Sequence, residues 1–386
     1  VNPAPPGLKP ARTIRHTRDL RRLVDELKTH SLLAVDTESN SLYAYYEQVC
    51  LIQMSTREQD TIIDPLAIDD LSPLGDLLAD PDIEIVFHAA EYDIMTLKRD
   101  FDFTFAAIFD TMLAARICGW AAVGLGNILA DQFGVRANKR FQRANWAARP
   151  LAADQLLYAQ MDTHYLPALR DRLLAELTAQ DRLEEAAETF AALADLPPAE
   201  FNFDPEGYWR IHQAQDLRRD QMALVRELYL LRDSLARQRD CPPVKIFSDA
   251  VMAELARIAP RRVDDLVGIK GLSSLQVRRF GAAIVESIAR GRQADPPRPP
   301  RRTPPPAPDV QARYKALHTW RKHRAAARGV ESDVIVPRET LWALAHRSPT
   351  RLEELDDIPG LGPWRRATYG ADLLDVLAHA DTDDST

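Results

Sequence analysis

The sequence predicts an α/β domain, a mixed sheet flanked by helices, followed by two all-helical domains. Three observations carry this. Short apolar runs of strand length alternate with helical periodicities over the first half of the chain. After residue 208 only helical patterns remain. Within that second half a set of residues recurs at an offset of 89.

The strand candidates come first in the chain. Ser31 to Val35 is apolar and runs into Asp36-Thr37-Glu38; Val49 to Met54, Thr61 to Ile63 and Glu84 to Phe87 follow. Helical spacing then covers about 89–99, 111–118, 124–132 and 153–178. Leu196 to Gly207 is dense in turn residues and ends this part. In the helical half Ile246 matches Ile335, Leu255 matches Leu344, Pro260 matches Pro349 and Leu266 matches Leu355. Ile269-Lys270-Gly271-Leu272 matches Ile358-Pro359-Gly360-Leu361, and Phe280-Gly281 matches Tyr369-Gly370. Between the copies, 294–308 is proline-dense with interspersed charges. Such a run cannot pack a core and reads as a stiff linker that leaves the last domain some freedom.

The chain of 386 residues is 46% hydrophobic and 27% charged, an ordinary globular balance that excludes wholesale disorder, a coiled coil and collagen. Its most apolar stretch, 103–126, contains Asp110 and Arg116, which argues against a membrane span. No apolar leader is visible near Val1, so the expected compartment is the cytoplasm. Cys50, Cys118 and Cys241 are far apart and expected reduced. The net charge of −8 is unevenly spread: residues 1–207 carry 19 Lys/Arg and 33 Asp/Glu, residues 208–386 carry 30 and 24. An acidic front half joined to a basic back half fits a cation-binding domain beside modules that attract a polyanion, although two differently solvated surfaces would give the same numbers.

The chemistry resides in acids. Asp36 and Glu38 lie two apart at a strand end, so alternation puts them on one face. Asp93 opens the helix after the strand ending at Phe87. Tyr158 and Asp162 are spaced i, i+4 on a helix and share a side. Four converging carboxylates oppose one another's ionisation unless a cation intervenes, and an oxygen-only donor set favours Mg²⁺ or Mn²⁺ over zinc. Two such ions can clamp a phosphodiester, with Tyr158 orienting the attacking water.

The ordered motifs Val35-Asp36-Thr37-Glu38, Phe87-His88-Ala89-Ala90-Glu91-Tyr92-Asp93 and Tyr158-Ala159-Gln160-Met161-Asp162 resemble the tyrosine-bearing branch of the DEDD superfamily of 3′–5′ exonucleases. The histidine branch would need His at 157, where Leu157 stands. Ala89, the segment Glu47 to Ser55 and the segment Trp146 to Tyr158 are similar to the ribonuclease D group. Each helical repeat resembles an HRDC domain, the first through Pro242-Pro243-Val244-Lys245-Ile246-Phe247 and its glycine turn, the second through its glycine turn alone.

The resemblance implies a ribonuclease-H-like fold and metal-dependent hydrolysis from an RNA 3′ end, releasing nucleoside 5′-monophosphates. Asp36, Glu38, Asp93 and Asp162 would hold two divalent ions, Mg²⁺ or Mn²⁺, and Tyr158 would orient the nucleophile. The implied partner is RNA with a single-stranded 3′ end, with transfer RNA precursors as the expected substrate. A DNA exonuclease and a non-catalytic RNA-binding adaptor are the alternatives. Lys139, Arg140 and Arg143, interleaved with aromatics, suit a single strand. Gly271 and Gly360 free N–H groups at a helix start for a phosphate, or serve only as turns. The helical repeats could equally bind protein partners. No membrane contact is expected, and a monomer is. Asp110 is expected to be an N-cap, His88 a core residue or one that supports the ligands from behind, His164 structural and Trp146 packed inward. The expected organisation is a disordered tail (1–11), an exonuclease domain (12–205), a first HRDC domain (208–293), the linker (294–308), a second HRDC-like domain (309–380) and an acidic tail (381–386).

Overall fold

The computed structural model describes residues 8–136, 139–300 and 304–383. The first part of the chain runs β1 (Arg12–Ile14), α1 (Thr17–Leu27), β2 (Leu32–Ser39), β3 (Val49–Ser55), β4 (Asp60–Ile63), α2 (Ser72–Leu78), β5 (Glu84–Phe87), α3 (Glu91–Phe101), β6 (Ile108–Asp110), α4 (Thr111–Cys118), α5 (Leu125–Phe133), α6 (Ala153–His164), α7 (Leu166–Ala179) and α8 (Leu183–Ala194). The six strands form one mixed sheet in the order β1-β4-β3-β2-β5-β6. β3 and β4 are antiparallel; β1 with β4, β2 with β5 and β5 with β6 are parallel.

Both faces of the sheet are covered, and alternation along β2 shows how. Leu33 and Val35 enter one core with Leu20, Leu23, Leu74 and Ile94; Leu32 and Ala34 enter another with Phe109, Leu169 and Phe190. Each fully buried aliphatic side chain of this kind contributes about 1.5–3 kcal/mol. The helix expected over 153–178 is two helices, since Pro167 in the first turn of α7 lacks the N–H that a continuous helix would need.

The helical half holds α9 (Arg219–Gln238), α10 (Pro243–Ile246), α11 (Asp249–Ile258) and α12 (Ser274–Gln293), then α13 (Pro308–Arg328), α14 (Ser332–Ile335), α15 (Arg338–Arg347) and α16 (Pro363–Asp383). Every helix of the second set begins 89 residues after its counterpart. The backbone specials repeat too: Gly271 and Gly360 have φ of +89° and +74°, Ala259 and Ser348 of +49° and +43°. Arg232 donates to the carbonyl of Phe247, and Arg321, 89 residues later, to that of Val336. The inferred duplication is therefore present in three dimensions.

By its internal contacts the chain divides into two compact units. One joins residues 1–38 and 49–199 with 304–386; the other joins 39–48 with 200–303. The freedom expected for the last domain is thus absent: it belongs to the same unit as the sheet. The wholly buried Glu185 of α8 pairs with Arg328, Glu188 with Arg365 at 2.7 Å, and Arg116 of α4 with Asp333 at 2.6 Å. In the other unit the loop 39–48 is held by the first repeat. Tyr45 donates through its hydroxyl to Asp233, and Asp240 Oδ1 accepts the N–H groups of Tyr45 and Tyr46 at 2.9 and 3.1 Å.

Residues 1–7 of the expected N-terminal tail lie outside the described residues, and so do 301–303 of the linker and 384–386 of the acidic tail. Against the expected disorder, the described tail residue Lys9 accepts a hydrogen bond from Gln160 through its carbonyl at 2.7 Å, and Asp381 lies on α16, paired with Arg313 at 2.7 Å. Among the described residues no helix is long and apolar enough to cross a membrane.

Candidate active site

The structure brings the five expected residues to one place. Desolvation is the largest influence on each acid, and the acids then act on one another. Asp36 is held well above the usual carboxylate range by burial and by Asp93, Asp162 and Glu38. Glu38 is pushed up to about 9 by burial, Asp162 and Asp93. Asp162 is raised to about 7 by burial and Asp93. Asp93 also rises to about 7, mainly by burial, with the Thr37 hydroxyl donating to it as a partial offset. The Tyr158 phenol is raised by burial and then by Asp162, Glu38 and Asp36.

Each residue is put there by local structure. Asp36 and Glu38 leave one side of β2, where it passes out of the core. Asp93 sits in the first turn of α3. That helix has no capping side chain of its own, because Ala90 occupies its N-cap. Asp110 supplies one from β6: Oδ2 accepts the Ala90 N–H at 2.7 Å, while Oδ1 accepts from Met112 and Leu113 at 2.8 and 2.9 Å and caps α4. Ala89, with φ of +64°, makes the turn between β5 and α3. Thr111 donates to the Phe87 carbonyl at 2.9 Å, and its hydroxyl lies 2.9 Å from His88 Nδ1. His88 is only half-buried by its surface, but desolvation lowers it to about 4, so its ring is neutral and it supports the turn through Thr111.

The helix carrying Tyr158 and Asp162 is fixed from beneath. Asp60 Oδ2 accepts from Gln160 Nε2 at 2.6 Å and lies 2.9 Å from His164 Nδ1. Ser55 and Thr163 hydroxyls meet at 2.7 Å. Burial opposes ionisation of Asp60, yet these hydrogen bonds together hold it below its ordinary range. His164 is therefore a structural partner of Asp60. Trp146 is 1% exposed and packed inward, its ring centre 6.0 Å from that of Tyr158; Phe141 approaches the same ring edge-to-face at 6.1 Å.

The donor set consists of hard carboxylate oxygens whose charges oppose one another. It fits a hard divalent cation, which would relieve that repulsion. Among the described residues no three His, Cys, Asp or Glu side chains already stand at the separation of ligands around one ion. The Thr37 hydroxyl bond to Asp93 shows one acid engaged with a neighbour instead.

The nucleic-acid contacts read from the sequence fare unevenly. Arg140 and Arg143 are exposed, and the Arg140 guanidinium lies 5.4 Å from the Phe141 ring centre, beside Tyr158. The Lys139 side chain lies outside the described residues. In the first repeat Ser273 and Gln276 cap the helix after Gly271 reciprocally, at 3.2 and 2.8 Å. The second repeat corrects the expectation for Gly360. The helix start beyond it already holds an anion: Glu188 Oε2 accepts the Trp364 N–H at 2.6 Å. Gly362, at the cap position, has no side chain to do this, and a carboxylate from α8 takes the place foreseen for phosphate. Sequence reasoning missed this role of Glu188, the anchoring by Asp60 and the second cap made by Asp110. Each is a long-range partnership with no local pattern.

Comparison with known proteins agrees with this geometry. The 3′–5′ exonuclease family matches residues 11–178, and the HRDC domain matches 221–288 and 310–377. A ribonuclease D of Gluconacetobacter diazotrophicus is 32% identical over 94% of this chain and 91% of its own. One from Pseudomonas paraeruginosa is 30% identical over 95% and 97%. The crystal structure of Escherichia coli RNase D, described as an exoribonuclease involved in structured RNA processing, superposes with a TM-score of 0.68 at 25% identity over 96% of this chain and 99% of that one. A fold whose sheet ends in four converging acids, two HRDC repeats later in the chain and relatives of this likeness over nearly the full length place the chain in the ribonuclease D family of DEDD 3′–5′ exoribonucleases.

Proposed function

We propose that the chain trims the single-stranded 3′ end of structured RNA, transfer RNA precursors foremost, with two divalent ions, Mg²⁺ or Mn²⁺. The observation that carries this reading is the convergence of the buried acids Asp36, Glu38, Asp93 and Asp162 beside Tyr158, close enough for Asp93 and Asp162 to oppose the ionisation of Asp36 and Glu38. Asp36, Glu38 and Asp162 would hold one ion; Asp36 and Asp93 would hold the other. Bound there, the ions would supply a water activated for attack and neutralise charge at the scissile phosphate.

The chain's own groups do the rest. Tyr158 stays a phenol well above neutral pH, so its hydroxyl can donate to the scissile phosphate or orient the attacking water without losing its proton. The wall formed by Trp146 and Phe141 fixes the angle of that ring. Lys139, Arg140 and Arg143 would steer the phosphates of the 3′ end, with Phe141 offering a face to a base. In the helical half the Gly271 turn of the first repeat remains a candidate contact.

The test is incubation with 3′-extended transfer RNA and, separately, a matched DNA, each with Mg²⁺ or Mn²⁺, followed by product sizing. Stepwise shortening of RNA with release of 5′-monophosphates is expected. Equal or faster loss of the DNA would overturn the substrate assignment.

A further inference from the structure

The loop that walls Tyr158 is tied down by one side chain. Arg149 makes five hydrogen bonds, one for each N–H of its guanidinium. Nε and Nη2 donate to the two carboxylate oxygens of Asp64 at 2.8 and 2.6 Å, and Nη2 also donates to the Cys50 carbonyl at 2.9 Å. Nη1 donates to the carbonyls of Trp146 and Ala148 at 2.6 and 3.0 Å. Asp64 is buried and directly follows β4, and Cys50 lies on β3. The fork therefore joins the turn that carries Trp146 to two strands of the sheet. The other cation near Asp64, Arg15, stands 3.8 Å away, too far for a hydrogen bond.

The Trp146 indole has no such tie of its own. It is fully buried, and its Nε1 has no hydrogen-bond partner among the described residues. It shares an apolar cluster with Leu51, Ile62 and Ala159, and Tyr158 packs against that cluster. The bonds of Gln160 to Asp60 and of Thr163 to Ser55 fix the α6 backbone beneath Tyr158, not the angle of its ring. That angle is set by Trp146 and Phe141, whose ring centres lie 6.0 and 6.1 Å away.

We propose that Arg149 and Asp64 are positioning residues for the hydrolysis, acting on the Tyr158 hydroxyl through Trp146. The inference rests on the exoribonuclease reading and adds what keeps the phenol at its working angle. The hydroxyl sits at the far end of the ring, so a small tilt displaces it more than any other atom of the side chain. Misplacing a reacting group by about 1 Å can cost about a hundredfold in rate. The charge of Arg149 is already matched by a buried carboxylate, and none of its hydrogen bonds goes to Asp36, Glu38, Asp93 or Asp162. Its effect is therefore on the phenol and not on the acids. A lysine ammonium, with three donors on one nitrogen, cannot span Asp64 and three carbonyls at once.

The experiment measures kcat and KM on single-stranded RNA with Mn²⁺, and Mn²⁺ affinity by calorimetry, for the full chain with Arg149→Lys, alone and combined with Tyr158→Phe. Arg149→Lys keeps the charge beside Asp64 and breaks the fork. It should lower kcat by about tenfold or more, with KM and Mn²⁺ affinity unchanged. In the Tyr158→Phe background the same replacement should alter kcat by no more than about twofold, because no hydroxyl is left to misplace. Asp64→Asn should reproduce both results. Should Arg149→Lys lose its melting transition, Trp146→Phe carries the test with the same pair of expectations, since it leaves Arg149 and Asp64 in place and shrinks the wall. An unchanged kcat in the folded variant overturns the proposal. So does an equal fall in both backgrounds, which a general loosening of the fold would give, and so does a lowered Mn²⁺ affinity, which would move the effect to the acids. A wild-type chain that fails to shorten RNA overturns the proposed function; one that shortens it and responds to Tyr158→Phe but not to Arg149→Lys overturns only this pair.

Discussion

Asp110 and Ala90 are joined across two elements: one carboxylate oxygen accepts the Ala90 N–H at 2.7 Å while the other closes the helix that begins at Thr111. A single buried acid thus starts both α3 and α4, and α3 carries Asp93. Asp110→Asn keeps the shape but turns an NH₂ toward one set of N–H donors. We expect a loss of about 1–3 kcal/mol in urea unfolding. Mn²⁺ affinity measured by calorimetry should fall with it, because Asp93 loses its fixed position. Unchanged Mn²⁺ affinity would show that the cap matters only to stability.

The raised acids set a pH dependence. Asp93 and Asp162 near 7 and Glu38 near 9 keep protons in the folded chain that the unfolded chain releases near 4. The folded state therefore binds more protons between about pH 4 and pH 9, and stability from these groups falls as pH rises through that window. In EDTA, Asp162→Asn should melt with the wild type at about pH 5 and above it by about 3 °C or more at about pH 8. Added Mn²⁺ should raise the wild-type melting temperature more at the higher pH. Curves for the two proteins that stay parallel across this range would count against the mutual repulsion.

Asp36→Ala should abolish RNA hydrolysis with either metal while the far-ultraviolet spectrum and the melting transition persist. Tyr158→Phe should lower kcat by about tenfold or more, with little change in KM, as the loss of a group that orients the reacting atoms should. An unchanged kcat would remove Tyr158 from the mechanism.

The pair of Glu185 and Arg328 offers a fourth measurement. Glu185 is wholly buried, so Arg328→Met leaves a carboxylate without its cation and should cost about 3–5 kcal/mol. Adding Glu185→Gln should recover much of that loss, which a double-mutant cycle in urea would read. Losses that simply add would show that the two side chains do not act as a pair.

The local signals in the sequence were faithful. Alternation in Leu32–Ser39 placed Asp36 and Glu38 together, the i, i+4 spacing placed Tyr158 beside Asp162, and the recurrence at 89 marked the duplication. Three-residue strands such as Arg12–Ile14 and Ile108–Asp110 are too short to show a period, and they form because neighbouring strands offer them hydrogen bonds. The larger miss was the company kept by distant segments. Nothing near Glu188 announces that its carboxylate will close a helix 176 residues later, and nothing near Tyr45 announces Asp233. Such partnerships depend on two surfaces meeting, which neither segment encodes alone. The proline-dense stretch led to the opposite expectation, because its composition reports stiffness and not where its far end docks.

The unbroken step between the two repeats has an evolutionary corollary. No insertion or deletion separates their helix starts, so the copies parted by exchange of side chains alone: Phe280 against Tyr369, Leu275 against Trp364, Gln276 against Arg365, Ser273 against Gly362. Such swaps, made on an unshifted backbone, separate a module that clasps its own sheet from one that belongs to a separate unit.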